Sequence, residues 1–175
     1  MSYLHTVEAL RPYLDAPDHF DVKTIESDVS LREFLAGFLS FYPWWIRGLY
    51  GVRAVFVRVL GMKQENLPQL PNLSPEEIDF SVGGDGTIFV VKAAQEHAYW
   101  VAGATDKHLT ANVLIALEPL TDGRNRFHVG TTVYYHAWSG PVYFNVIRPF
   151  HHMVVRSMMH AGAAYQRNRG GFQHA

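Results

Sequence analysis

The sequence predicts a single α+β domain in which a curved antiparallel sheet wraps around a long C-terminal helix and two short helices follow the first strand. Three observations carry that expectation. The hydrophobic period is two at 19–26 and again from Ile78 to Trp138, but three to four at 31–60 and beyond Gly140. The turns between the later strands are short and carry Asp85-Gly86, Asp106-Lys107 and Asp122-Gly123, so successive strands run antiparallel. The last strand then runs straight into a helix on which Phe144, Ile147, Phe150, His151, Val154, Val155 and Met158 form one largely apolar face. At 175 residues the chain can bury a full core as one domain spanning 1–175.

Residues 1–17 hold a short helical pattern that breaks at Ala16-Pro17. They form an N-terminal arm, expected either as a strap across the sheet or as a partly ordered end. The strand at 19–26 alternates Phe20, Val22 and Thr24 against Asp21, Lys23 and Ile25, which gives it one buried face. Ser30 with Glu33 three residues on makes a capping box, and the helix it opens aligns Leu31, Phe34, Leu35 and Phe38. Pro43 stops that helix and starts a second, over about 44–60, with Gly61 as its C-cap. A linker at 63–75 with three prolines leads to strands at about 78–82, 87–94, 98–105, 108–118 and 126–138. Gly103 and Gly130, inside strands, are points where the sheet can bend. Ser139 caps the closing helix, Gly140-Pro141 begin it and Pro149 kinks it. The polar tail at 167–175 frays.

Composition narrows the function classes. The formal charge is −1, so the basic field of a nucleic-acid binder is missing. With no cysteine, disulfides, thiolate nucleophiles and cysteine-ligated zinc are excluded. The N-terminus lacks the basic-then-apolar signal pattern, which points to a cytoplasmic protein. The longest charge-free run, 34–46, has 13 residues, short of the roughly 20 of a spanning helix. Arg47, Arg53 and Arg58 follow it and read as an outer, solvated face. Aromatics at 14% imply bulky core packing or a lined pocket.

The candidate chemistry gathers where the last strand meets the closing helix. His136 ends the strand, His151 lies beyond Pro149, and Tyr143 lies between them. If helix and strand fold together, these three converge at one mouth of a cavity, where two imidazoles can act as acid and base. The plainer reading, that they tie down a strand–helix corner, is preferred. His151 and His152 are adjacent and point about 100° apart, so they do not chelate from one face. A metal held by His108, His136 and His151 has no supporting pattern, and no metal or cofactor is expected. Ser139 sits in a turn and not in a nucleophile elbow. The Gly83-Gly84-Asp85-Gly86 cluster precedes a strand and reads as a hairpin turn. The strands at 98–104 and 108–117 are apolar on both faces, which calls for a second cover such as a second subunit, giving a homodimer, or the N-terminal arm. Thr110 and Asn112 are the polar exceptions. On an inward face they orient a ligand, and on an outward face they are solvated.

This order of elements resembles the helix-grip fold of the START and Bet v 1-like (SRPBCC) superfamily. More narrowly, the chain resembles a bacterial family catalogued as domain of unknown function 2867. The likeness rests on Pro43-Trp44 with Arg47, Leu49 and Arg53, then Asp106-Lys107-His108-Leu109, and Thr131-Thr132-Val133 with His136. It continues in Gly140 with Tyr143-Phe144, and in Pro149-Phe150-His151 with Val154-Val155. The resemblance implies a fold and a cavity between sheet and helix, and brings no catalytic residue with it.

Together these readings favour a protein that binds an apolar or amphipathic small molecule in that cavity. Trp100, Thr110, Asn112, Tyr134, His136, Tyr143, Ile147 and His151 are the residues expected to contact it. The first alternative is an enzyme, a cyclase, dehydratase or hydrolase using His136 and His151. The second is a peripheral or protein-interaction module presenting the tryptophan-bearing helix at 43–61.

Overall fold

The computed structural model describes residues 2–41, 43, 45, 72–86, 89–105 and 107–165. The expected second helix with Gly61, the arginines at 47, 53 and 58, Trp44 and the 167–175 tail lie outside the described residues.

Among the described residues six strands form one antiparallel sheet: β1 His19–Ser27, β2 Asp85–Gly86, β3 Phe89–Gln95, β4 Tyr99–Thr105, β5 Leu109–Pro119 and β6 Asn125–Tyr135. Their spatial order is β1-β6-β5-β4-β3-β2. The hairpins therefore follow the chain, and only β1 is brought in from a distance, to pair with β6. Helix α1 spans Leu31–Leu39 and helix α2 spans Ser139–Ala163. Both pack on one face of the sheet, the inner face, so the molecule is an antiparallel sheet closed by its long C-terminal helix.

Local chemistry explains most boundaries. The Ser30 Oγ accepts from the Glu33 amide at 3.3 Å, and the Glu33 carboxylate accepts from the Ser30 amide at 2.7 Å, so the capping box is complete. In the β5–β6 turn Gly123 has φ +82° and Asp122 Oδ1 accepts from the Arg124 amide at 3.1 Å. The expected strand at 78–82 does not form. Pro75–Glu77 make a 3-10 turn, Asp79 takes the Ser81 amide, and Gly83 at φ +86° reverses the chain. Asp85-Gly86 are strand and not turn, paired with Val90 and Phe89. The last strand ends at Tyr135, short of the expected 138, because the helix begins at Ser139 with Trp138 as its N-cap.

The core has two parts, one on each face of the sheet. On the inner face α1 and the end of α2 bury Phe34, Leu35, Phe38, Val155 and Met159 against Trp100, Ile115, Phe127 and Val129. Phe34 stacks on Phe127 with ring centroids 4.0 Å apart. The helices cross very closely: a Cβ on Gly37 would meet the Ala161 carbonyl at 2.7 Å, and one on Gly162 would meet the Phe34 carbonyl at 2.7 Å. On the outer face the N-terminal arm forms 3-10 turns at Tyr3–His5 and Glu8–Tyr13 and buries Leu4 and Leu10 against Val101, Leu114 and Ala116. The arm is thus the strap that covers the second apolar face. Leu4 sits over Gly130, where a Cβ would lie 2.6 Å from its Cδ1. Gly130 is there to receive a side chain, and Gly103 likewise leaves room for the Lys92–Asn112 pair.

Candidate functional site

Strand register decides which side chains face α2. Residues directly opposite in an antiparallel pair point to the same face. Ile25 pairs with Phe127 and Asp21 with Thr131, so His19, Asp21, Lys23 and Ile25 share the inner face with Phe127, Val129, Thr131 and Val133. The polar half of β1 therefore points inward, toward α2. Phe20, Val22 and Thr24 face the other way, and Phe20 is 37% exposed.

From the helix, His151 and His152 come down onto this part of the sheet. Their rings diverge, as adjacent helical positions must, and each takes a different strand. His151 Nε2 lies 3.2 Å from Thr131 Oγ1 on β6. His152 Nδ1 lies 3.0 Å from Lys23 Nζ and 3.3 Å from Asp21 Oδ2 on β1. Lys23 in turn donates to Asp21. Phe144, two turns earlier, packs against His19 with ring centroids 4.7 Å apart, and also near Tyr135 and His151. His19 Nε2 is buried without a hydrogen-bond partner among the described residues. The result is a seam between β1 and α2 lined by His19, Asp21, Lys23, Thr131, His151 and His152.

The electrostatics follow from crowding basic groups into a partly dry space. Burial lowers the His151 pKa to about 4, with the Lys23 and His152 charges pushing the same way, so this imidazole is neutral at pH 7. His19 is also lowered, first by burial and then by the charge of Arg148. Burial pushes Asp21 up, but the hydrogen bond and charge of Lys23, helped by the imidazoles, outweigh it and hold the carboxyl below its ordinary value. Asp21, Lys23 and His152 keep 22%, 21% and 34% of their side-chain surface exposed, so the seam is open to solvent at its edge.

Of the expected site residues, only some lie here. His151 is in the seam, and Ile147 and Tyr143 lie on α2, Tyr143 buried. Trp100 is on the inner face but 1% exposed, its indole N–H donating to the Asp79 carbonyl at 3.0 Å, so it is closed core. Thr110, Asn112 and Tyr134 lie on the outer face, in register with Tyr134, Thr132 and Thr110. There Lys92 Nζ donates to Asn112 Oδ1 at 2.9 Å, Asn112 donates to Thr132 at 3.1 Å, and the Tyr134 hydroxyl donates to the Tyr13 carbonyl at 2.9 Å. This network anchors the end of the arm. His136 Nε2 lies 2.8 Å from Thr110 Oγ1 on that same outer face. His136 and His151 therefore do not converge, because their partners Thr110 and Thr131 are on opposite faces of the sheet. Ser139 does not cap α2; its Oγ lies 2.6 Å from His108 Nδ1 and the cap makes no side-chain bond. Among the described residues no three His, Asp or Glu side chains are placed to hold a metal ion.

Sequence reasoning missed His19, Asp21, Lys23 and His152. The available signal was that β1 alternates two sets of which neither is wholly apolar, so polarity alone could not orient it.

The model of a family described as "Protein of unknown function (DUF2867)" matches residues 13–158. The chain belongs to this family. The match takes in every residue of the seam and begins at Tyr13, so Leu4 and Leu10 of the arm fall outside it. Among solved structures, the DUF2867 chain is similar to Ara h 8.0201 at 10% identity, over 82% of this chain and 97% of that one, with a TM-score of 0.39. No curated protein matches it. Among the described residues no helix is long and apolar enough to cross a membrane.

Proposed function

We propose that this DUF2867 protein binds an apolar or amphipathic small molecule between the inner face of its sheet and α2, with the β1–α2 seam as the mouth. One observation carries the reading. At the α1 end the inner face is sealed by stacked aromatics. At the β1 end the polar groups lying between sheet and helix keep a fifth to a third of their surface exposed. Next to them the apolar side chains of Phe144, Val129 and Val133 are buried between sheet and helix. A ligand placed there would gain from desolvation, at about 25 cal/mol per Å² of apolar area buried, while the seam groups fix its orientation.

The test is a titration with the neutral fluorophore N-phenyl-1-naphthylamine. A single saturable site is expected, and Val129→Trp, which puts a much larger side chain beneath α2, should remove it. Non-saturable fluorescence, or binding indifferent to that substitution in a folded protein, would refute the reading. Trp45 is half-buried against Phe41, with ring centroids 6.5 Å apart. It therefore offers no support to a module that presents exposed tryptophans.

A further inference from the structure

The seam is not symmetrical in charge. Its groups are five basic side chains, His19, Lys23, Arg148, His151 and His152, facing one carboxylate, Asp21. Asp18, the other nearby carboxylate, is exposed and turned to the Tyr135 amide, from which it accepts at 2.7 Å. Counted with neutral imidazoles, Lys23 and Arg148 against Asp21 leave one positive charge uncompensated. An ammonium has three donors. Asp21 and His152 occupy two of those on Lys23, which leaves one for a further acceptor. His19 Nε2 is buried without a partner among the described residues, and its ring lies 6.3 Å from that of His152 between centroids. Buried polar atoms in folded proteins are normally satisfied, so His19 Nε2 points to a missing partner, beside an ammonium on Lys23 that is part-exposed and has a donor to spare.

We propose that the seam takes the carboxylate of an amphipathic acid, with Lys23 and His19 as its donors and Arg148 as the exposed counter-charge at the rim. The inference rests on the small-molecule reading above and specifies its ligand class. A monoanion matches the single surplus charge, where a phosphate dianion would overshoot it. A neutral hydroxyl would meet the hydrogen-bond need and leave the charge unanswered. The apolar tail would run from the seam past Phe144 along Val129 and Val133, under α2. Charge-assisted hydrogen bonds of this kind are about twice as strong as neutral ones, and low local dielectric keeps them from being fully screened.

The experiment compares sodium decanoate with 1-decanol, which share a chain length and differ in head charge, as competitors of N-phenyl-1-naphthylamine. Decanoate should displace the fluorophore about tenfold more effectively at low salt, with the margin narrowing as salt is added. Lys23→Met should bring the two competitors level. Because that substitution strips Asp21 of its partner and can harm folding, Arg148→Met, at an exposed position, provides a second variant and should reduce the margin severalfold. Equal displacement by both competitors in the unaltered protein would overturn the carboxylate assignment and leave the binding reading standing. A margin that survives in both folded variants would overturn it as well. Absence of fluorophore binding would overturn both.

Discussion

Acidification should loosen the grip of α2 through one residue, His151. Its pKa is lowered from 6.5 to about 4, chiefly by burial and then by Lys23 and His152. In the unfolded chain the same imidazole titrates near 6.5, so between pH 6.5 and 4 the unfolded state binds more protons than the folded one. Stability contributed by keeping this group neutral is complete above pH 6.5 and is lost as pH falls toward 4. At about 1.4 kcal/mol per pH unit, that window amounts to about 3 kcal/mol, of which about 2 kcal/mol falls between pH 7 and 4.5. The perturbation is His151→Gln, which keeps a polar partner for Thr131 and removes the titration. Urea unfolding of both proteins at pH 7, 5.5 and 4.5 gives the difference in stability at each pH. At pH 7 the variant should be less stable by about 1 kcal/mol, the ordinary cost of an imperfect replacement. By pH 4.5 the order should invert. His19, lowered in the same direction, and Asp21, held charged by Lys23, remain in both proteins and largely cancel. Parallel pH profiles for the two proteins would refute the argument that His151 is held neutral inside the fold.

Three further outcomes are expected. Gly162→Ala should lower stability by about 1–2 kcal/mol: a methyl gains up to about 1 kcal/mol in helix propensity but drives against the Phe34 carbonyl, and overpacking costs about 1–3 kcal/mol. An unchanged or raised urea midpoint would contradict that crossing. Leu4→Ala should cost about 2–4 kcal/mol or release the strap, because Leu4 is fully buried over Gly130; limited proteolysis should then cut within residues 1–17 faster than in the parent. His136→Ala should shift stability by less than about 0.5 kcal/mol, since its residue is exposed and its ring meets the Thr110 hydroxyl at the edge of the sheet; a thermal midpoint lowered by many degrees would restore it as a structural or functional centre.

Particular residues show why the fold was easier to read than the site. The Ser30–Glu33 box and the Asp122-Gly123 turn are local devices, complete within a few residues, and both stand as expected. The family resemblance, carried by short motifs along the chain, holds as well. His136, by contrast, was singled out because it is near His151 in sequence and ends a strand. A strand's end offers both faces, and the pairing of Thr110 with Tyr134 sends His136 to the outer one. Asn112 and Thr110 posed the same two-way choice, and it resolved to the outer face. Ser139, expected as a cap, was claimed instead by His108, thirty-one residues earlier.

Taken alone, the amino-acid order determined the elements and their sequence: strand, helix, antiparallel strands, long closing helix, and an apolar surface on both sides of the sheet that needed two covers. Those features follow from periodicity and turn chemistry, which act over a few residues. Only the tertiary structure decided which cover lies on which side. Alternation divides a strand into two sets of side chains but does not say which set meets the core. For β1 neither set is decisive in polarity, and the matter is settled by a partner a hundred residues away, where Ile25 meets Phe127 and draws Lys23, Asp21 and His19 to the helix side. The candidate site is a product of that register.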